Sequence, residues 1–156
     1  MKLCDEKIKK EKAIYKSNSP DATMQIAKEF AKTLKGGEVL LLKGDLGAGK
    51  TAFTKGLAVA FGVDEIVTSP TFTILNEHYG TKLNLYHFDM YRIEDESELK
   101  ELGFDDYIGK SDGVCAIEWF EKTMSILPSL CFLIEINKIS DEEREICISV
   151  VNKEDL

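Results

Sequence analysis

Gly44-Asp45-Leu46-Gly47-Ala48-Gly49-Lys50-Thr51 is the stretch of this sequence whose residue types and spacing could do chemistry. A glycine, four residues and then Gly-Lys-Thr form the phosphate-binding-loop pattern, and the pattern carries a mechanism. The glycines let the backbone curl and approach a triphosphate without Cβ clashes. Successive N–H groups then form an anion nest at the positive end of the helix that starts near Lys50. The Lys50 ammonium would reach the β- and γ-phosphates, and the Thr51 hydroxyl would hold Mg²⁺. The bland alternative is a glycine-rich strand-to-helix turn with no ligand, but such a turn does not need Lys-Thr after its last glycine.

A bound triphosphate also needs a carboxylate at the end of a neighbouring strand, to complete the Mg²⁺ shell or orient the attacking water. Glu118 follows the apolar run Val114 to Ile117, and Asp89 follows the β-rich run Leu83 to Phe88. Either could instead be a solvated residue or a helix cap. Thr71 sits where nucleotide switches place a hydroxyl that senses the γ-phosphate, or is a turn residue after Pro70. Trp119, the only tryptophan, is a core residue or a wall of the cleft. Arg92 reads as a charge stabiliser or a surface ion pair, and His78 and His87 as ordinary strand histidines.

The elements that must position these groups follow an α/β pattern. Ser19-Pro20-Asp21 starts a helix, with Ser19 at the N-cap and Pro20 at the first helical position. Ile26, Ala27, Phe30, Ala31 and Leu34 recur at helical spacing until Gly36-Gly37. Val39 to Leu42 is a buried strand leading into the glycine loop, and Ala52 to Phe61 continues the helix behind it. Phe72 to Tyr79 and Leu83 to Phe88 read as a hairpin around Gly80-Thr81. Glu94 to Leu102 is a polar helix, and Phe104, Tyr107 and Ile108 make a short helical turn over the core. Val114 to Ile117, Leu130 to Ile136 and Glu145 to Val151 supply further strands, after a first strand near Ala13 to Ser17. Residues 1–12 are a charged start, and residues 13–156 form one domain.

With 20 basic against 28 acidic residues, the formal charge of −8 argues against a surface that grips a nucleic-acid backbone. The start has no apolar core of signal-peptide length and no run approaches a membrane span, so a cytoplasmic protein is expected. Cys4, Cys115, Cys131 and Cys147 lie far apart, without Cys-x-x-Cys or histidine neighbours, and suggest neither zinc nor a disulfide framework. Asn137-Lys138-Ile139-Ser140-Asp141 has one residue too many for the guanine-reading Asn-Lys-x-Asp, so adenine is the expected base. Arg92 and Arg144 are the only arginines. That scarcity weighs against a small nucleoside or nucleotide kinase, whose mobile lid usually brings several arginines to the transferring phosphoryl group.

The ordered set of Gly44 to Thr51, Thr68-Ser-Pro-Thr-Phe72, His87 to Arg92, Glu101 to Tyr107 and Ile117-Glu-Trp119 resembles the TsaE family, formerly YjeE. The resemblance runs from about Ser19 to Val151. It implies a single phosphate-loop NTPase-like α/β domain with a mixed, mostly parallel central sheet, flanking helices and a hairpin. It also implies slow Mg²⁺-dependent ATP hydrolysis in a complex with TsaB and TsaD, which transfers threonylcarbamoyl to the tRNA adenosine beside the anticodon. The tRNA would be met only through those partners, and no structural metal is implied.

Carried over by residue, the resemblance makes Lys50 and Thr51 the phosphate and Mg²⁺ residues and Glu118 a Mg²⁺-site carboxylate. Asp89 becomes a catalytic or metal-water residue, Thr71 and Trp119 line the site, and Thr23 and Arg144 lie near the base. Ala52 stands where the family usually has a second threonine, which leaves only its backbone N–H for a phosphate. Glu143 replaces the family's glycine before Arg144. A small-molecule kinase and a non-hydrolysing, nucleotide-gated assembly module are the alternative readings.

Overall fold

The structure is a computed structural model that describes residues 9–68, 70 and 74–156, with backbone alone for 9–11. Among the described residues there are seven strands: β1 (Lys9–Ser17), β2 (Val39–Lys43), β3 (Leu75–His78), β4 (Asn84–Asp89), β5 (Gly113–Glu118), β6 (Leu130–Lys138) and β7 (Arg144–Asn152). They form one sheet in the order β1-β7-β6-β2-β5-β4-β3. The strands β6, β2, β5 and β4 run parallel. The flanking pairs β6–β7, β1–β7 and β3–β4 are antiparallel. The expected mixed sheet with a mostly parallel centre is what the chain forms. The centre is buried on both faces, and its strands accordingly read as unbroken apolar runs such as Val39-Leu40-Leu41-Leu42.

Alternation along those strands divides the core in two. Leu40, Leu42, Val114, Ala116 and Ile134 pack on one face beneath helices α1 (Pro20–Ala31) and α2 (Lys50–Phe61). Val39, Leu41, Cys115, Ile117 and Leu133 pack on the other face with Leu99 of the short helix α3 (Ser97–Glu101), Phe104 and Phe120. Phe53, Leu57 and Phe61 of α2 are at most 2% exposed. Burial of each such side chain is worth about 1.5–3 kcal/mol, so α2, and with it the loop at its start, is anchored firmly to the sheet. Gly56 lets α1 cross α2 closely, because a Cβ there would lie 2.4 Å from the Met24 carbonyl oxygen.

Ser19 caps α1 as its sequence position predicts, accepting from the Ala22 N–H at 3.0 Å. The helix ends earlier than the glycine pair suggests. At its end the N–H groups of Thr33 and Leu34 bond three residues back, to Phe30 and Ala31, and tighten the chain before Gly36 and Gly37 adopt positive φ. Strand β1 starts at Lys9 rather than Ala13, since β7 extends far enough to pair with it. The hairpin strand expected from Phe72 is β3 from Leu75, and Phe72 itself lies outside the described residues. Cys115 and Cys131 are buried thiols, which burial pushes up to about 12 and about 11 respectively. Cys147 is disulfide-bonded, a correction to the expectation that the spacing of the cysteines suggests no disulfide. Cys4 lies outside the described residues.

Candidate functional site

The loop from Gly44 to Gly49 leaves the carboxyl end of β2 and turns into α2. Gly47 and Gly49 hold φ of 79° and 115°, left-handed values that an L side chain resists. Gly44 is required for space, since a Cβ there would meet the Ile136 carbonyl oxygen at 2.7 Å. Gly49 is the N-cap of α2 and has no side chain with which to cap it. The first-turn N–H groups are thus left for a ligand in the loop, at the positive end of the helix dipole.

The strand-end carboxylates converge on that loop. In the parallel register Asp89 of β4 sits beside Glu118 of β5, and Glu118 beside Leu42 of β2. Both acids are only 6% exposed. The Lys50 ammonium donates to the Gly44 carbonyl at 2.8 Å, stands 3.6 Å from Glu118 Oε1 and lies over the Trp119 ring. The other carboxylate oxygen, Oε2, is 2.7 Å from Nε2 of the fully buried His87. Burial pushes the Glu118 carboxyl up, but His87 and then Lys50 outweigh it and hold it below the ordinary carboxylate range. Asp89 Oδ1 accepts from the Tyr91 N–H at 3.0 Å.

A cavity of about 700 Å³ opens between these groups, with Gly47, Lys50, Thr51, Asp89, Glu118 and Trp119 in its wall and Leu46, fully exposed, at its rim. Trp119 is therefore a wall of the cleft and not core. It is 45% exposed, packs its ring at a tilt of 57° with its centre 5.0 Å from that of Tyr91, and is held at φ 57°. A non-glycine residue in that region is strained, and such strain gathers at functional sites. Gly44 and Asp45 line a smaller recess beside the large one, again sharing Lys50 and Trp119.

Thr23, Ala48, Ala52 and Arg144 lie behind the loop, around a recess of about 320 Å³. Ser17 donates its one hydroxyl hydrogen to the Ser19 carbonyl, so the 2.7 Å bond between Ser17 and Thr23 has Thr23 as donor. The Arg144 guanidinium donates to the carbonyls of Ala48 at 2.9 Å and Gly47 at 3.3 Å. It also donates to those of Ser140, Asp141 and Glu143 in the β6–β7 turn. Arg144 is thus a tether between turn and loop. Thr71 lies outside the described residues.

Sequence reasoning missed His87 and the tether made by Arg144. The signal for His87 was present: it stands two residues before Asp89 in a strand, hence on the same face. Nothing local to Arg144 announces contacts with Gly47 and Ala48, nearly a hundred residues earlier in the chain.

Oxygen donors alone, from Thr51, Asp89 and Glu118, suit a hard cation such as Mg²⁺. Among the described residues no group of three or more histidine, cysteine or acidic side chains gathers as a metal site. Strand, glycine loop, uncapped helix and two strand-end acids define a phosphate-loop α/β protein.

Comparison with known proteins narrows that class. The family model "Threonylcarbamoyl adenosine biosynthesis protein TsaE" matches residues 17–146. The tRNA threonylcarbamoyladenosine biosynthesis protein TsaE of Bacillus subtilis is 47% identical over 137 residues, 88% of this chain and 85% of that one. Its counterpart in Treponema pallidum is 38% identical over 133 residues, 85% of this chain and 97% of that one. The crystal structure of Bacillus subtilis YdiB superimposes with a TM-score of 0.76 at 39% identity, over 92% of this chain and 88% of that one. The chain belongs to the TsaE family.

Proposed function

We propose that this chain binds ATP with Mg²⁺ in the large cavity and hydrolyses it slowly, as an accessory ATPase for threonylcarbamoyl modification of tRNA adenosine in the cytoplasm. Family membership supports the pathway, since the relatives are named for tRNA threonylcarbamoyladenosine biosynthesis. The observation that carries the chemical reading is the convergence of Lys50, Glu118 and Asp89 on one glycine loop. Lys50 binds the β- and γ-phosphates, and the loop N–H groups hold their oxygens. Thr51 and Glu118 would hold Mg²⁺, which neutralises charge on the phosphate oxygens when bound. Asp89, at the end of the next strand, orients the attacking water or the metal's water and takes its proton. Trp119 shields the cleft from bulk solvent, and Thr71 would sense the γ-phosphate. Thr23, Ala52 and Arg144 border the smaller recess, where we place the base.

TsaB and TsaD are the proposed partners and would hold the tRNA, in keeping with this chain's net charge of −8. Lys50 is the one cation among the described residues lining the large cavity, which favours water over a second substrate as phosphoryl acceptor.

The test is phosphate release from ATP by the purified chain, alone and with TsaB and TsaD, in wild type, Lys50→Ala and Asp89→Ala. Weak hydrolysis that rises with the partners and disappears in both variants is expected. Tight ATP binding without hydrolysis under any condition would overturn the ATPase reading in favour of a nucleotide-gated assembly module.

A further inference from the structure

We propose that His87 is a positioning residue that fixes the rotation of the Glu118 carboxylate, so that one defined oxygen, Oε1, faces the phosphate loop. This rests on the reading of the large cavity as a site for Mg²⁺ and nucleotide.

His87 is fully buried within β4, beside Ala116 in the register and two pairs before Asp89 and Glu118, hence on the same face of the sheet. Its Nε2 lies 2.7 Å from Glu118 Oε2, while Glu118 Oε1 lies 3.6 Å from the Lys50 ammonium. The two oxygens are thereby given different tasks. A carboxylate only accepts, so Nε2 carries the hydrogen and His87 donates.

The opposite ring nitrogen, Nδ1, is buried with no hydrogen-bond partner among the described residues. Native proteins seldom leave such an atom unsatisfied, and an exception calls for an explanation. Packing alone does not supply one, because a leucine fills a similar volume with no orphan nitrogen. The Nε2–H donor is what histidine contributes there. Without that donor, no hydrogen bond among those seen here reserves Oε2 away from the loop, and the assignment of Oε1 to the loop side is lost. Outer hydrogen bonds of this kind orient carboxylates toward metals and commonly change affinity or activity by about 10- to 100-fold.

The experiment compares wild type, His87→Leu and His87→Gln, whose side-chain amide keeps a donor near the Nε2 position. Binding of a fluorescent ATP analogue is titrated with Mg²⁺ and, separately, in EDTA, and hydrolysis is measured as kcat and KM. His87→Leu is expected to match wild type in EDTA but to need about 10- to 100-fold more Mg²⁺ for half-maximal binding. Its kcat falls with little change in KM, and His87→Gln recovers most of both losses.

A His87→Leu protein with wild-type Mg²⁺ dependence would overturn the proposal, leaving His87 as packing. A His87→Gln protein that melts like wild type yet is as impaired as His87→Leu would overturn it too, since the donor would not be what matters. Should the wild type bind the analogue equally with Mg²⁺ and EDTA, the reading of the cavity falls and takes this proposal with it. Should it bind with Mg²⁺ but not hydrolyse, only the ATPase reading falls, and the Mg²⁺ titration still decides for or against His87.

Discussion

The two flanks of strand β2 serve the same loop in opposite ways. On one flank, β5 and β4 run parallel and stop at the loop, each ending in a buried acid, Glu118 and Asp89. On the other, β6 runs past into a turn and returns as β7, delivering Arg144, whose donors all go to backbone carbonyls. The first flank offers side-chain oxygens and the second takes up the outward-facing carbonyls of Gly47 and Ala48. A nest of N–H groups needs both, because amides can point inward only where the carbonyls of the same peptides have partners outward. Chemistry and support are therefore separable, and variants should separate them.

Removing the Lys50 cation is expected to have the largest effect. Lys50→Ala is expected to lower phosphate release by about 10²- to 10³-fold, the scale for loss of one transition-state charge stabiliser. Its melting temperature should stay near that of wild type, because Glu118 keeps its bond to His87. A large loss of stability in a melting scan would mean that Lys50 is chiefly structural.

Asp89→Asn follows, with a fall of about 10²-fold in kcat, at the lower end for loss of a positioned acid or base. Nucleotide affinity in EDTA should be unchanged. A matching loss of affinity there would place Asp89 in the support of the loop instead.

On the other flank the balance reverses. Arg144→Ala is expected to cost about 1–2 kcal/mol of stability, a few degrees of melting temperature for a chain of this size. Nucleotide affinity should weaken about tenfold while kcat at saturation is kept, as expected when only ground-state and transition-state binding are lost together. Loss of kcat with intact affinity would assign Arg144 to the chemistry.

The smallest effect is on acid stability. His87 and Lys50 depress the folded Glu118 carboxyl, overcoming burial. A depressed acid contributes stability that is fully present above its unfolded value, about 4.3, and is lost as pH falls through the lower folded value. Glu118→Gln should flatten that part of the stability curve, read by chemical denaturation at stepwise lower pH. An unchanged acid limb would mean that other carboxylates set it.

Much of this was legible beforehand because it is local. The β2 run, the glycine loop and Ser19-Pro20 are decided by neighbours in sequence, and they appear where they were expected. Boundaries drifted where pairing decided them: β1 gains Lys9 from the length of β7, and α1 stops at Ala31 because its last turn tightens before the glycines. His87 was read as an ordinary strand histidine because its spacing from Asp89 marks only a shared face, while its partner Glu118 is distant in the chain.

By itself, then, the sequence determined the phosphate loop, the alternation of strands and helices, and which acids close their strands. These depend on φ, side-chain period and apolar runs, all short-range properties. The tertiary structure alone decided that Asp89 and Glu118 stand side by side, that His87 takes one Glu118 oxygen and leaves the other to Lys50, and that Arg144 ties a distant turn to Gly47 and Ala48. Strand order and register set those meetings, and both come from how the whole sheet buries its two apolar faces, which no local window of sequence contains.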